Sequence, residues 1–413
     1  MKIVIAPDSF KASLSAIDAA GALAEGILQV EGDWDLVMVP LADGGEGTLE
    51  ALQSQGFTMA SYAVVDAHGA PITATMAVAN TVAVIESAKA CAFDPGASAK
   101  DAMRASSAGV GMLIRHAMDA GVEEILLAVG GTATSDGGVG MLRELGAQFL
   151  DVKGTDIGPG GAGLSDLDRV DLSTLDPRIA TTRIRLLADV KNPFLGPTGA
   201  AAVFAPQKGV NPADVKELEK SFAHLATLVG PASAEIPGSG AGGGLGFAAL
   251  AVLGATTESG ATAIMELVGL EKELASADVV ITGEGSFDDQ SLHGKLTGTV
   301  LALATKHSVP AVVVCGVESL SNWDVLKDLS VVSVVPLSDQ EPNQKKSMAR
   351  AKELMVAAGR RLGQFLSVSE DPGFLSRVLS MQQGKAGTIA PPPEDYLLPL
   401  DSESDPTHHG DGR

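Results

Sequence analysis

Five short apolar runs in this chain each end in a loop of glycine, hydroxyl and ionisable residues. The loops read IAPDSFKAS (Asp8, Ser9, Lys11), VPLADGGEGT (Asp43, Gly44, Gly45, Glu46), VGGTATSDGG (Thr132, Thr134, Ser135, Asp136), LADVKNP (Asp189, Lys191, Asn192) and VITGEGSFDDQSLHGK (Glu284, Ser286, Asp288, Gln290, Lys295). Helical spacing resumes after several of them. Strand, loop, helix, strand is the order of a parallel sheet that carries its sites at the carboxyl ends of its strands. One Asp-Gly pair by itself marks a tight turn. Five polar loops at strand ends, three with a lysine beside the acids, exceed what turns require.

Between the loops the pattern predicts a helix over Ser15 to Val30 and a strand at Leu36–Pro40. From Phe57 to Glu86, β-branched residues with turns at DAHGAP and ANT predict a meander of strands. Ala99–Ala120 reads as one long helix with Gly121 as its C-cap, and Asn343–Leu366 as a final long helix. Strands at Ala277–Gly283, Val309–Gly316 and Val331–Leu337 alternate with helices. The expected class is α/β. Residues 1–60 and 262–366 form one discontinuous, doubly wound domain, and 61–261 an inserted mixed α/β domain. Residues 367–413 are proline-rich, acidic and aperiodic, and read as a disordered tail whose His408 and His409 are solvated.

A length of 413 residues accommodates two domains, and the net charge of -22 repels phosphate backbones and anionic lipid. Nucleic acid and membrane surfaces are therefore not expected partners. A small anionic substrate remains compatible, because local lysines set the field inside a cleft. The sequence has no signal-peptide pattern and no apolar stretch of about 20 residues. Its two cysteines, Cys91 and Cys315, sit in apolar company without a CxxC. A cytoplasmic protein with free thiols is expected. Whether it assembles as a homo-oligomer is not legible.

Several familiar chemistries are not written here. Gly294-Lys295 is preceded by Asp289 where a Walker A loop needs glycine, so there is no P-loop. Gly238, Gly240 and Gly243 spell GxGxxG without a clear strand before them or an acid at the dinucleotide spacing. The chain has no GxSxG or HExxH. The glycines ahead of the LGFAALAVLG helix, Gly242 and Gly243 among them, either present backbone N–H groups to phosphate or pack helices closely. Magnesium held by carboxylates and phosphates is the one metal this donor set suggests.

KIVIAPDSFKASLSA, PLADGGEGT, VGGTATSDGGVGML, DVKNPFLGPTGAA, FAPQKG, GAGGGLGFA and VITGEGSFDDQSLHGK occur in that order, and together they resemble the bacterial glycerate kinase family over about residues 1–366. The resemblance implies ATP-dependent phosphorylation of D-glycerate with Mg²⁺, and it favours the 2-hydroxyl while leaving the 3-hydroxyl open. It also implies a flavodoxin-like domain, an inserted domain and a site in the cleft between them. The chain departs from the family pattern at Ala12, where glycine is usual. Alanine there costs about 1 kcal/mol if φ is positive, and is expected to be tolerated.

On this reading Gly130, Gly131, Thr132, Thr134, Ser135 and Asp136 form an anion cradle, joined in binding ATP by Gly242, Gly243, Glu284, Ser286 and Lys295. Asp8, Lys11, Asp43, Asp189 and Lys191 are the catalytic candidates, with Asp189 as base. Asp136, Asp189 and Asp288 are candidates to hold the metal. The rival readings are a nicotinamide-dependent hydroxy-acid oxidoreductase and a non-catalytic small-acid sensor.

Overall fold

The computed structural model describes residues 1–45, 47–292 and 294–367. Glu46, His293 and the expected tail lie outside the described residues. The first sheet holds β1 (Lys2–Pro7), β2 (Asp35–Met38), β11 (Val279–Phe287), β12 (Ala311–Glu318) and β13 (Val331–Pro336), and the second contains β3 to β6, β9 and β10.

All pairings in the first sheet are parallel, in the order β13-β12-β11-β1-β2. Its apolar runs are continuous because both faces are covered. Val4 and Ala6 pack with the 270–274 and 296–306 helices, while Ile3 and Ile5 pack with the 16–27 and 351–367 helices. Counted within the sheet, the order is 2-1-3-4-5, the flavodoxin-like doubly wound order. Its switch point lies between β1 and β11. The chain leaving β1 turns to one face and the chain leaving β11 to the other, and a crevice opens between their loops.

The second sheet comprises β3 (Thr58–Val65), β4 (Pro71–Ala79), β5 (Val82–Glu86), β6 (Glu124–Ala128), β9 (Arg183–Leu187) and β10 (Thr256–Glu258), ordered β10-β9-β6-β5-β4-β3. The meander supplies antiparallel β3–β4–β5, and the rest is parallel. A hairpin of β7 (Gln148–Leu150) and β8 (Arg169–Asp171) stands apart. The 260–267 helix serves both sheets. Ala261 and Met265 enter a core of the first, and Ala263 and Ile264 join Val84, Leu126 and Leu187 of the second. Buried Arg185 fastens that helix further by pairing with Glu124, Glu258 and Glu266.

The structure departs from the sequence-based expectation in three places. The expected division at residue 60 falls inside β3. Leu41 still packs on the first sheet while Leu49 and Leu52 pack on the second, so the chain has crossed before Leu49. The helix expected over 99–120 is two, Ala99–Arg104 and Ala108–Asp119. Ala105 is extended, and Ser107 gives both its N–H and its hydroxyl to Asp136 Oδ2, each at 2.8 Å. The final helix divides at Arg350, whose guanidinium is engaged by Glu341 and Glu353.

Candidate active site

Two pockets meet where the sheets face each other. The larger, of about 790 Å³, opens at the switch point. Its polar end is built by Asp8, Ser9 and Lys11 after β1 and by Glu284, Ser286, Asp288 and Lys295 along and after β11. Val317, Leu337, Pro342 and Met348 line it as well, interleaved in the chain with Ser338, Glu341, Gln344 and Ser347. The smaller, of about 370 Å³, lies over the second sheet between Gly130, Gly131 and Thr132, the Gly44–Gly45 turn, Ala241 and Gly242. Asp43 and Asp189 line both.

Local hydrogen bonds set the loops. Asp8 Oδ1 accepts from the Ser9 N–H at 2.6 Å, and Asp43 Oδ1 from the Gly45 N–H at 2.9 Å. Asp288 Oδ1 accepts from the N–H groups of Gln290 and Ser291, with Lys295 Nζ 4.0 Å away. Ala12 takes φ of 62°, left-handed, while the Ser13 and Leu14 N–H groups close onto Phe10 O. The departure from glycine thus falls on a residue whose conformation favours glycine.

The acids repel one another. Burial, then Asp43 and Glu284, push Asp8 up to about 7 against the opposing pull of the Ser9 N–H and Lys11. Asp189 keeps contact with solvent. The cleft walls and then Asp43 raise it to about 6, opposed by the Gly260 N–H. Burial also raises Glu284, and one of its carboxylate oxygens, Oε1, is buried without a hydrogen bond.

A family model described as the glycerate kinase family matches residues 3–367. A glycerate 2-kinase of Escherichia coli K12 is 40% identical over 325 residues, 76% of this chain and 85% of that one. A glycerate kinase of Bacillus subtilis 168 is 37% identical over 372 residues, 87% of this chain and 97% of its own. The chain belongs to the glycerate kinase family. It is accordingly an enzyme, a phosphotransferase of that family. A crystal structure described as glycerate kinase 2 from Salmonella typhimurium LT2 superposes with a TM-score of 0.77 at 36% identity, over 90% of this chain and 99% of that one.

The residues singled out from the family motifs fall into different places. Asp8, Lys11, Asp43, Asp189, Glu284, Ser286, Asp288 and Lys295 line the larger pocket, and Gly130, Gly131, Thr132 and Gly242 the smaller. Asp136 does not face either. It is fully buried, and its oxygens accept from the N–H groups of Ser107, Gly138 and Gly140 and from the Ser107 hydroxyl. Those donors leave it as a strut of the loop rather than a ligand. Thr134 and Ser135 are also buried, and they line neither pocket. Lys191 is exposed on neither pocket wall. Gly243 packs against Thr134 O behind the wall. Asp136, Asp189 and Asp288 are not brought together, and among the described residues no group of three His, Cys, Asp or Glu is disposed to hold a metal ion.

Gly238, Gly240 and Gly243 follow a 3-10 turn at Pro231–Glu235, not a strand, so the dinucleotide geometry is missing. Sequence reasoning missed Phe93, Gln207 and Lys208 of the smaller pocket and Val317, Leu337, Pro342 and Met348 of the larger. Lys208 stands in FAPQKG, a motif that marked the family but carried no role. Among the described residues no helix is long and apolar enough to cross a membrane.

Proposed function

We propose that this chain transfers the γ-phosphoryl group of ATP to the 2-hydroxyl of D-glycerate in the cytoplasm. The observation that carries the reading is the pair of pockets with Asp43 and Asp189 as their common wall. The larger pocket suits a nucleotide. Val317, Leu337, Pro342 and Met348 offer apolar contact to a flat base, Ser338, Gln344 and Ser347 offer polar groups to its edge, and Lys11 and Lys295 meet phosphates. The smaller pocket has ample room for a three-carbon acid, and part of its wall is glycine backbone.

Phosphoryl transfer asks a protein mainly to position reactants and neutralise charge. Asp189, at the junction, accepts the proton of the glycerate hydroxyl as that oxygen bonds to phosphorus. The bond from phosphorus to the bridging oxygen breaks, and ADP is left. Asp8 and Asp43 fit a divalent cation. They are neighbouring carboxylates at the phosphate end, and their repulsion is part of what holds Asp8 near 7. Magnesium usually takes one or two carboxylates and completes its shell with phosphate and water, so no protein cage is required. Bound there, it would supply positive charge to the phosphate oxygens.

The test is ³¹P NMR of the protein with MgATP and D-glycerate. The expected product signal is a phosphomonoester split by a single proton, the pattern of a phosphate on CH. Splitting by two protons would place the phosphate on the 3-hydroxyl, and ATP left intact would overturn the reading.

A further inference from the structure

We infer that Lys208 is the cation that recognises the carboxylate of the hydroxy-acid substrate, at the floor of the smaller pocket. The inference rests on the phosphotransfer reading above and adds to it the residue that makes the acceptor an acid.

Lys208 closes a 3-10 turn, Pro206–Lys208, and Gly209 follows with φ of 101°. The turn drives the side chain inward, and the residue is 6% exposed yet lines the pocket. Its ammonium donates to Thr134 O at 2.6 Å. That spends one of three N–H donors. Among the described residues no carboxylate lies within ion-pair distance of it. Asp136 is a carboxylate that acts on it from beyond that distance, and its oxygens already hold four donors from Ser107, Gly138 and Gly140. The other neighbour, Cys91, is a buried thiol pushed up to about 12, and so neutral. A buried ammonium without a counter-ion is costly, and burial accordingly lowers Lys208 to about 8. The pocket that Lys208 lines gives the missing charge a way in.

The surrounding glycines fit this role. A Cβ on Gly243 would stand 1.9 Å from Thr134 O and 2.9 Å from Lys208 Nζ, so this glycine clears the space for the lysine–carbonyl bond. Gly130, Gly131 and Gly242 line the same pocket and add no side-chain bulk to it. The lysines of the larger pocket differ. Lys11 is exposed and Lys295 is about half exposed, which suits the mobile, solvated phosphates of a nucleotide. A desolvated lysine instead discriminates, because a neutral ligand in its place would leave the charge unpaired.

The test is steady-state kinetics of the wild type and Lys208→Met with D-glycerate, ATP and the carboxylate-free acceptor glycerol. Lys208→Met should raise KM for D-glycerate about 100-fold or more, leave KM for ATP within about 3-fold, and shrink the preference for glycerate over glycerol by a similar factor. If Lys208→Met does not fold, Lys208→Gln keeps a donor for Thr134 O while removing the charge, and the same pattern is expected. A glycerate KM changed by less than about 3-fold, or a rise that falls on ATP instead, overturns the inference while leaving the phosphotransfer reading in place. A wild type that turns over ATP with neither acceptor overturns both.

Discussion

The carboxylate of Asp189 accepts a hydrogen bond from the backbone N–H of Gly260 at 3.2 Å. This ties the end of β9 to the segment by which the chain returns to the first sheet. A Cβ on Gly260 would stand 1.8 Å from Asp43 O, so the outward and return crossings touch at the point where both pockets share a wall. Asp43 thus stands on the outward crossing itself, and Asp189, on the loop after β9, is held to the return crossing by its bond to Gly260.

Asp189→Asn should therefore test chemistry with little change in architecture. Loss of the base is expected to lower kcat by about 100-fold or more with KM for both substrates little changed. A decrease of only a few-fold would remove Asp189 from that role.

The acid side of the pH profile follows from the raised carboxylates. Asp189 near 6 and Asp8 near 7 take up protons as pH falls, so kcat/KM should decline between about pH 7.5 and 5.5. The stability effect has the opposite direction. The folded chain keeps a proton on Asp8 that the unfolded chain, with an ordinary value near 3.9, releases. Its favourable contribution is complete below about pH 4 and is lost as pH rises through about 7. Asp8→Asn should raise Tm by about 1–3 °C at pH 8 and leave it unchanged at pH 4, while lowering activity. Thermal melts at the two pH values check this.

Ala12→Gly should stabilise the protein. The left-handed conformation costs alanine about 1–2 kcal/mol, and glycine's extra freedom in the unfolded chain returns about 0.4–1. A net gain of about 0.5–1 kcal/mol in urea unfolding is expected, with activity retained because the loop already adopts this shape.

Asp136→Asn should act on folding before chemistry. An amide nitrogen would face N–H donors that now meet carboxylate oxygen, at a cost of about 2–4 kcal/mol. Denaturant titration should show the loss, and the fraction that remains folded should keep an unchanged Mg²⁺ dependence. A selective weakening of Mg²⁺ activation would make it a ligand instead.

The strand ends were legible because a continuous apolar run broken by glycine and aspartate has few other meanings. Asp8, Asp43, Glu284 and Lys295 could be named for that reason. The split at Ser107 was hidden because its cause is a hydrogen bond to Asp136, 29 residues away. Asp136 itself looked like a ligand, since a buried strut and a ligand use the same side chain in the same kind of loop. Lys208 was hidden for the converse reason. A lysine beside a glycine usually marks surface, and only the turn at Pro206 with its packing against Thr134 and Gly243 buries it. Which loops share a pocket depends on pairings such as Ile3 with Val279, which no local pattern encodes.

That pairing also has a consequence during synthesis. Ile3 leaves the ribosome early and must wait for Val279 to follow. At roughly 5–20 residues per second, the interval is on the order of 15–55 s. The second sheet has all its strands in hand by Glu258 and can close during that time. The apolar β1 and β2 meanwhile have no β11 to cover their neighbouring edge. Nascent chains halted once residue 267 has left the ribosome should consequently present β1 to chaperones beside an already protease-resistant second sheet.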